Sequence, residues 1–315
     1  MLPRNFILTS FILTFFVNPS TAHHQNNQNK KLSEADSIGR LLSANDLHKK
    51  QGDFIFPGDR INPIEGKVKI LCYLNHKVLL LGKGVVDEPN KCVDTNQIEE
   101  CINNPRSRCS KTRNLNSQTI PILKPHGRVI LNSRPLISWQ KIPTATSYTI
   151  KLHGRGVKWS TQTTNTTLSY PELETAMKPG NTYQLSVIAN KHKSPFKATS
   201  IVLFLLSDSQ IKEIKNTHYQ IRSFNLSPDQ QARDFDSIFM SKSLIDPSIN
   251  ILTKRIHART NDPTLYRLLG DRYLQSGLLQ KAKLMYLKAV TLAKKNNKLK
   301  EYQLAQDRIN RLESI

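Results

Sequence analysis

What this 315-residue chain lacks narrows its class before anything it contains. Beyond Val17 it has no apolar run long enough to cross a bilayer, which argues against a stable membrane span in its body. Its 12 Gly and 16 Pro are ordinary numbers, so it is neither collagen-like nor mostly low-complexity. There is no phosphate-cradling Gly-Lys loop, no His-Glu-x-x-His, no Gly-x-Ser-x-Gly and no dinucleotide fingerprint. The nine His are scattered, and no Ser, His and Asp stand in an order that marks a nucleophile. No catalytic residue and no cofactor are assigned on these grounds, and the expectation is a non-enzymatic protein.

Cysteine is scarce too. The four, Cys72, Cys92, Cys101 and Cys109, form no Cys-x-x-Cys and have no His at finger spacing, which argues against zinc. In an oxidising compartment they read as two disulfides. Four cysteines allow three pairings, and Cys72–Cys92 with Cys101–Cys109 is the expected one because each closes a short local loop.

Acidic residues are the other deficit: 24 Asp+Glu stand against 46 Lys+Arg, a formal net charge of +22. The excess is uneven. Residues 111–206 hold 13 Lys/Arg and 2 Asp/Glu, whereas residues 23–110 hold 13 and 11. Basic segments favour anionic partners such as nucleic acid, lipid headgroups or acidic polysaccharide.

The first 22 residues run from Arg4 through an apolar stretch, Phe6–Val17, to Asn18-Pro19 and the small residues Ser20-Thr21-Ala22. That is the order of a secretory signal, with cleavage expected after Ala22. The mature chain is expected to be exported, periplasmic or extracellular, where nucleic acid is the least available anion. Residues 23–31 read as a polar, disordered leader, and the His23-His24 pair lacks companions for a metal. A short helix is expected next, with Ser33 as N-cap and Ile38, Leu41 and Leu42 on one face.

The body reads as a multidomain chain, β first and α after. In residues 52–86 the period is two, with Val68, Ile70 and Cys72 alternating with Lys67, Lys69 and Leu71 between Gly-marked turns. Asp53 and Asp59 sit beside those turns as caps rather than as an acid/base pair. From Arg134 the alternation sharpens: Ile137 and Trp139; Tyr148, Ile150 and Leu152; Tyr183, Leu185, Val187 and Ala189. Trp139, Tyr148 and Tyr183 are the expected core of two packed sheets, closed by a last strand around residues 200–207. Trp159 and Tyr170 are candidates for an exposed aromatic sugar platform. After Ser207 the pattern is helical, with Ser227-Pro228 and Asp262-Pro263 as helix starts.

Three resemblances organise these segments. Gly52-Asp53, Pro57-Gly58-Asp59-Arg60-Ile61, Gly66, Val68 and Ile70-Leu71-Cys72 resemble the iron-dicitrate-regulator (FecR-like) β domain, here residues 32–112. Leu173, Pro179-Gly180, Tyr183, Val187 and Ala189 resemble the turn and tyrosine corner of a fibronectin type III domain, here residues 126–206. Tyr266, Leu269, Gly270, Tyr273, Gly277, Ala282, Tyr286 and Ala289 fall at the signature positions of a tetratricopeptide repeat starting at Pro263. A degenerate copy lies 34 residues earlier, with Phe235, Asp236, Phe239, Leu244, Ser248 and Leu252 in register. This makes a helical domain over 207–315, with repeats at about 229–262 and 263–296 and a cap helix at 299–312. The order resembles exported, cyanobacterial-type modular proteins.

The tetratricopeptide resemblance implies a concave groove lined by Thr264, Arg267, Asp271, Leu274 and Gln275, with Arg233 from the earlier copy, where Arg233 and Arg267 clamp a carboxylate of a protein or peptide. The expected function is protein–protein interaction or scaffolding in the cell envelope. The alternatives are binding of an acidic envelope polymer by the basic sandwich, and an envelope signalling role implied by the FecR-like segment.

Overall fold

The computed structural model describes residues 34–43, 45–88, 91–93, 119–192 and 194–314, without the side chains of residues 35 and 194, and these fall in one compact unit. The segments expected to be signal and leader, together with Ser33, Cys101 and Cys109, lie outside the described residues. A β-rich front half is followed by six helices.

The chain enters through a single 3-10 turn, Glu34–Asp36, and then strand β1, Gly39–Leu41. The helix expected there is a strand: Ile38, Leu41 and Leu42 are all buried because β1 is covered on both faces, so their spacing mimics a helical stripe. Gly39 admits the neighbouring strand, since a Cβ there would lie 2.5 Å from the Leu71 carbonyl oxygen. β1 sits between β2 (Phe54–Ile55) and β4 (Val68–Cys72), and β4 pairs with β5 (Val78–Leu81), all antiparallel. A separate two-stranded pair joins β3 (Arg60–Ile61) to β6 (Gly84–Val85). Cys72 is bonded to Cys92 beneath this module. The Asp53 and Asp59 carboxylates accept the N–H of Lys50 and Phe56, each three residues back, as turn caps do.

Two sheets follow. The smaller has the order β12 (Thr167–Ser169), β9 (Leu136–Trp139), β7 (Ile122–Lys124). The larger has the order β11 (Val157–Thr163), β10 (Ser147–Gly154), β13 (Thr182–Lys191), β14 (Ser194–Leu205) and β8 (Val129–Ile130), the last joined in parallel to β14. Their apolar faces share one core containing Trp139, Tyr148, Tyr183, Ile150, Leu152, Leu185 and Val187. Ile120 and Ile122 belong to that core, so the sandwich begins ahead of residue 126. The Tyr183 hydroxyl accepts the Lys178 N–H at 2.6 Å and so fixes the turn that leads into β13. Trp159 and Tyr170 are buried and meet edge to face at 5.2 Å between centroids. The sugar platform suggested for them does not exist; both rings fill the core.

Six helices complete the chain: α1 (Asp208–Arg222), α2 (Pro228–Met240), α3 (Ile245–His257), α4 (Pro263–Gln275), α5 (Leu279–Lys295) and α6 (Leu299–Glu313). Ser207 and Ser227 each close a capping box with a Gln three residues on, and the Asp262 side chain accepts the Thr264 N–H. Turn geometry recurs at an offset of 34 residues: the Leu244 N–H bonds the Phe239 carbonyl at 2.9 Å, and the Leu278 N–H bonds the Tyr273 carbonyl at 2.8 Å. Gly270 lets α4 and α5 touch, for a Cβ there would lie 2.4 Å from Tyr286 Cε1. Among the described residues no helix is long and apolar enough to cross a membrane.

The modules share a core. Leu42, Leu71 and Tyr73 of the front module pack with Leu206 and with Ile214, Ile221, Phe235 and Ile238 of α1 and α2. Leu71, on the face read from its alternation as the lysine-bearing one, is therefore fully buried.

A filled groove and a candidate binding cleft

The residues expected to line an open groove are buried, except Arg267, which is partly exposed, and their polar groups are engaged by the chain itself. At one end the partners come from the Glu34–Asp36 turn and the residue that follows it, from β1 and from the β4–β5 turn. Arg233 donates to the Ser37 carbonyl at 3.0 Å, to the Ser37 hydroxyl at 3.1 Å and to the Glu34 carbonyl at 3.1 Å, while its guanidinium lies 4.1 Å over the Tyr73 ring. Beside it the Tyr73 hydroxyl and the Arg40 guanidinium converge on the Asp234 carboxylate. Burial drives Asp234 up to about 6, against the opposing pull of Arg40 and Tyr73.

One turn further, Arg272 forks onto Asp236 at 2.8 and 2.7 Å and donates to Gln275 at 3.0 Å. Burial works to raise Asp236, and the Arg272 charge and hydrogen bonds outweigh it, leaving the carboxyl below its ordinary value. Ser248, the counterpart of Ala282, donates its hydroxyl to Asp236, the counterpart of Gly270. The degenerate positions of the earlier copy thus form a polar joint.

His76, at the tip of the β4–β5 turn, places Nε2 3.1 Å from Arg272 Nη2 and Nδ1 3.3 Å from Ser237 Oγ. Arginine only donates, so Nε2 accepts and Nδ1 carries the proton. A His protonated toward the serine cannot take the serine's proton, so this contact is no activated nucleophile. Burial and the Arg272 charge hold His76 down at about 4.

At the other end α6 fills the groove. Arg267 clamps Glu301 at 2.7 and 3.1 Å and reaches Asp271 at 3.3 Å. Asp271 also receives the Tyr286 hydroxyl at 2.8 Å and Arg308 Nε at 3.2 Å. Thr264 bonds Glu301, and Leu274 packs with Ala282, Tyr286 and Ile309. The open groove and its external carboxylate clamp are corrected accordingly. Two helix pairs leave these polar groups short of partners, and burying them unpaired costs several kcal/mol, about 3–5 for one member of a broken ion pair. The chain meets that demand with its own β turn and last helix.

Beside Arg233 and Thr264 a concavity of about 260 Å³ remains, with Glu34, Asp262 and Lys298 in its lining, and a larger one lies between the outer face of the smaller sheet and the helices. The larger one encloses about 560 Å³. Its floor is apolar: Leu123, Ile249, Leu278 and the Tyr273 ring. Around it stand Lys124 from β7, Lys254 and His257 from α3, and Lys281 from the start of α5, whose ammonium lies 5.7 Å from the Tyr273 ring centre. His126 is anchored to the carboxylate of Asp246 through Nδ1 and its own N–H, and Gly127 admits Ile245 at van der Waals distance. The lining includes no Asp or Glu, and the buried Thr253 hydroxyl has no hydrogen-bond partner among the described residues.

No protein-family model matches the chain, and no curated protein matches it in sequence.

Among the described residues no group of three or more His, Cys, Asp or Glu is placed to hold a metal ion. None of the cleft lysines or histidines was singled out from the sequence. Its one trace there is the charge excess of residues 111–206, which does not reveal that Lys124 shares a cleft with Lys254 and Lys281.

Proposed function

We propose that this chain is an exported, non-catalytic binding protein: a FecR-like front module, a fibronectin type III-like sandwich and a tetratricopeptide-like array joined in one body, with its partner site in the basic cleft between sandwich and array. Several observations support the reading. The strand orders β12-β9-β7 and β11-β10-β13-β14, with the Tyr183 hydroxyl bonded to the Lys178 backbone, have the arrangement of a fibronectin-like sandwich. The 34-residue offset of the helix turns and the Gly270–Tyr286 contact fit a tetratricopeptide pair, and α6 fits its cap. The Cys72–Cys92 bond fits an oxidising compartment.

The observation that carries the binding role is the cleft itself. It lies in the size range of ligand sites, about 300–1,000 Å³, and joins an apolar floor to a rim of one charge sign. The partner is therefore anionic. Titration of the full chain with labelled poly-glutamate, at low and high salt, tests this. Binding is expected to weaken with salt and to fall about tenfold in Lys124→Glu/Lys254→Glu. Equal affinity in that variant refutes the site.

A second reading, an acidic envelope polymer on the sandwich, is favoured by the exposed face of β10 and β11. There His153 stands opposite Lys158 and Lys151 opposite Ser160, with no carboxylate in those pairs. Polygalacturonate binding that survives the cleft variant and is lost in Lys151→Glu/Lys158→Glu would favour it.

A further inference from the structure

Resting on the cleft as the binding site, we infer that its ligand is an acidic peptide segment carrying a large apolar side chain between carboxylates. Three features of the cleft select that chemistry. The cations come from three separate elements, Lys124 on β7, Lys254 on α3 and Lys281 on α5, and all line the one cleft. Three cations carried by separate elements suit more than one carboxylate, spaced along a chain.

The floor argues against a bare polyanion. Leu123 is 36% exposed and shares the lining with Ile249 and Leu278. Acidic sugars would leave those carbons facing hydroxyls and water, whereas a Leu or Trp side chain laid on them removes apolar area from water on both sides. The walls argue against a fatty carboxylate. Ser138 and Asn250 interrupt the apolar surface where an acyl chain would run. Hydroxyl and amide groups at those places match the N–H and C=O groups of a peptide backbone, which demand partners when buried. On the concave face of the array, where such a peptide would ordinarily be sought, Arg233, Arg267 and Arg272 are already engaged by the chain's own groups, and the smaller concavity left beside Arg233 carries Glu34, Asp229 and Asp262 in its lining, which disfavour an acidic ligand.

The test uses the full chain and fluorescence anisotropy. The probe is a labelled peptide with Glu residues flanking Leu-Trp; its counterpart replaces Leu-Trp by Ser-Ser. Trigalacturonate and decanoate serve as competitors. Losing burial of one large apolar side chain predicts roughly tenfold weaker binding for the Ser counterpart. Lys254→Glu/Lys281→Glu is expected to weaken the Leu-Trp probe about tenfold, and Leu123→Ser several-fold. All three positions are solvent-accessible, and an unchanged thermal midpoint verifies the fold.

If the Ser counterpart binds as tightly, if Leu123→Ser is silent, or if trigalacturonate or decanoate displaces the peptide at lower concentration than unlabelled peptide does, the peptide inference falls while the cleft stands. If no acidic probe binds, or the lysine reversal changes nothing, the binding reading beneath it falls as well.

Discussion

Replacing Arg272 by Met tests the claim that the groove is filled by a buried polar seam. Arg272 and Asp236 are 1% and 0% exposed, and two hydrogen bonds of 2.8 and 2.7 Å join them. Met matches much of the arginine's stem but leaves the Asp236 carboxylate with only the Ser248 hydroxyl. Breaking such a pair from one side costs about 3–5 kcal/mol, and the orphaned His76 and Gln275 acceptors move the expectation to the upper half of that range. For a body of this size that is a fall in Tm of roughly 8 °C or more. Adding Asp236→Asn removes the unpaired charge and is expected to restore about half of the loss. The assay is urea unfolding followed by far-UV circular dichroism, which reads the helices, and by tryptophan fluorescence, which reads Trp139 and Trp159 in the sandwich. A cost below about 1 kcal/mol, or a double variant no more stable than Arg272→Met, would refute the seam, because a solvated pair behaves that way.

The remaining expectations concern pH and packing. His76 falls from 6.5 to about 4 on folding, so its stabilisation is complete above 6.5 and is lost as pH drops toward 4; Asp234 rises from 3.8 to about 6, so its stabilisation is present below 3.8 and is lost as pH climbs through 6. Between pH 7 and 5 the first subtracts about 2 kcal/mol and the second adds about 1, so His76→Gln is expected to become more stable relative to wild type on acidification, and parallel urea midpoints at both pH values would contradict the assignment. Gly270→Ala is expected to destabilise by about 1–2 kcal/mol, since the clash with Tyr286, whose hydroxyl is tied to Asp271 at 2.8 Å, outweighs the better helix propensity of alanine; a raised Tm would count against the close crossing.

What could be read from the sequence was whatever is decided locally. Trp139, Tyr148 and Tyr183 announce their strands because one face of each strand meets the opposite sheet and the other meets water, which imposes a period of two. Gly270, Ala282 and Tyr286 announce a helix crossing because they meet within one hairpin. The misreadings share a cause in distance along the chain. Ile38, Leu41 and Leu42 read as a helix face because nothing local says that β1 is covered twice. The groove reads as open because the groups that engage it are far away: Ser37 reaches Arg233 across 196 positions, and His76 reaches Arg272 across 196. Local pattern shows that a residue wants a partner, not that the partner is already in the chain. The cleft was invisible for the same reason, since its lysines come from three elements and none carries a motif.

The passage from the two packed sheets to the helices has no slack. Strand β14 ends at Leu205 and α1 begins at Asp208. Of the two residues between, Leu206 donates its N–H to Ile130 and accepts from Gly180, and Ser207 caps the helix. A pull applied at the start of α1 is therefore not absorbed by a swivel. It arrives as shear along a twelve-residue strand zipped to β13, the loading direction in which ladder bonds resist together rather than one by one. Tethered at both ends, the body would transmit tension as a stiff strut.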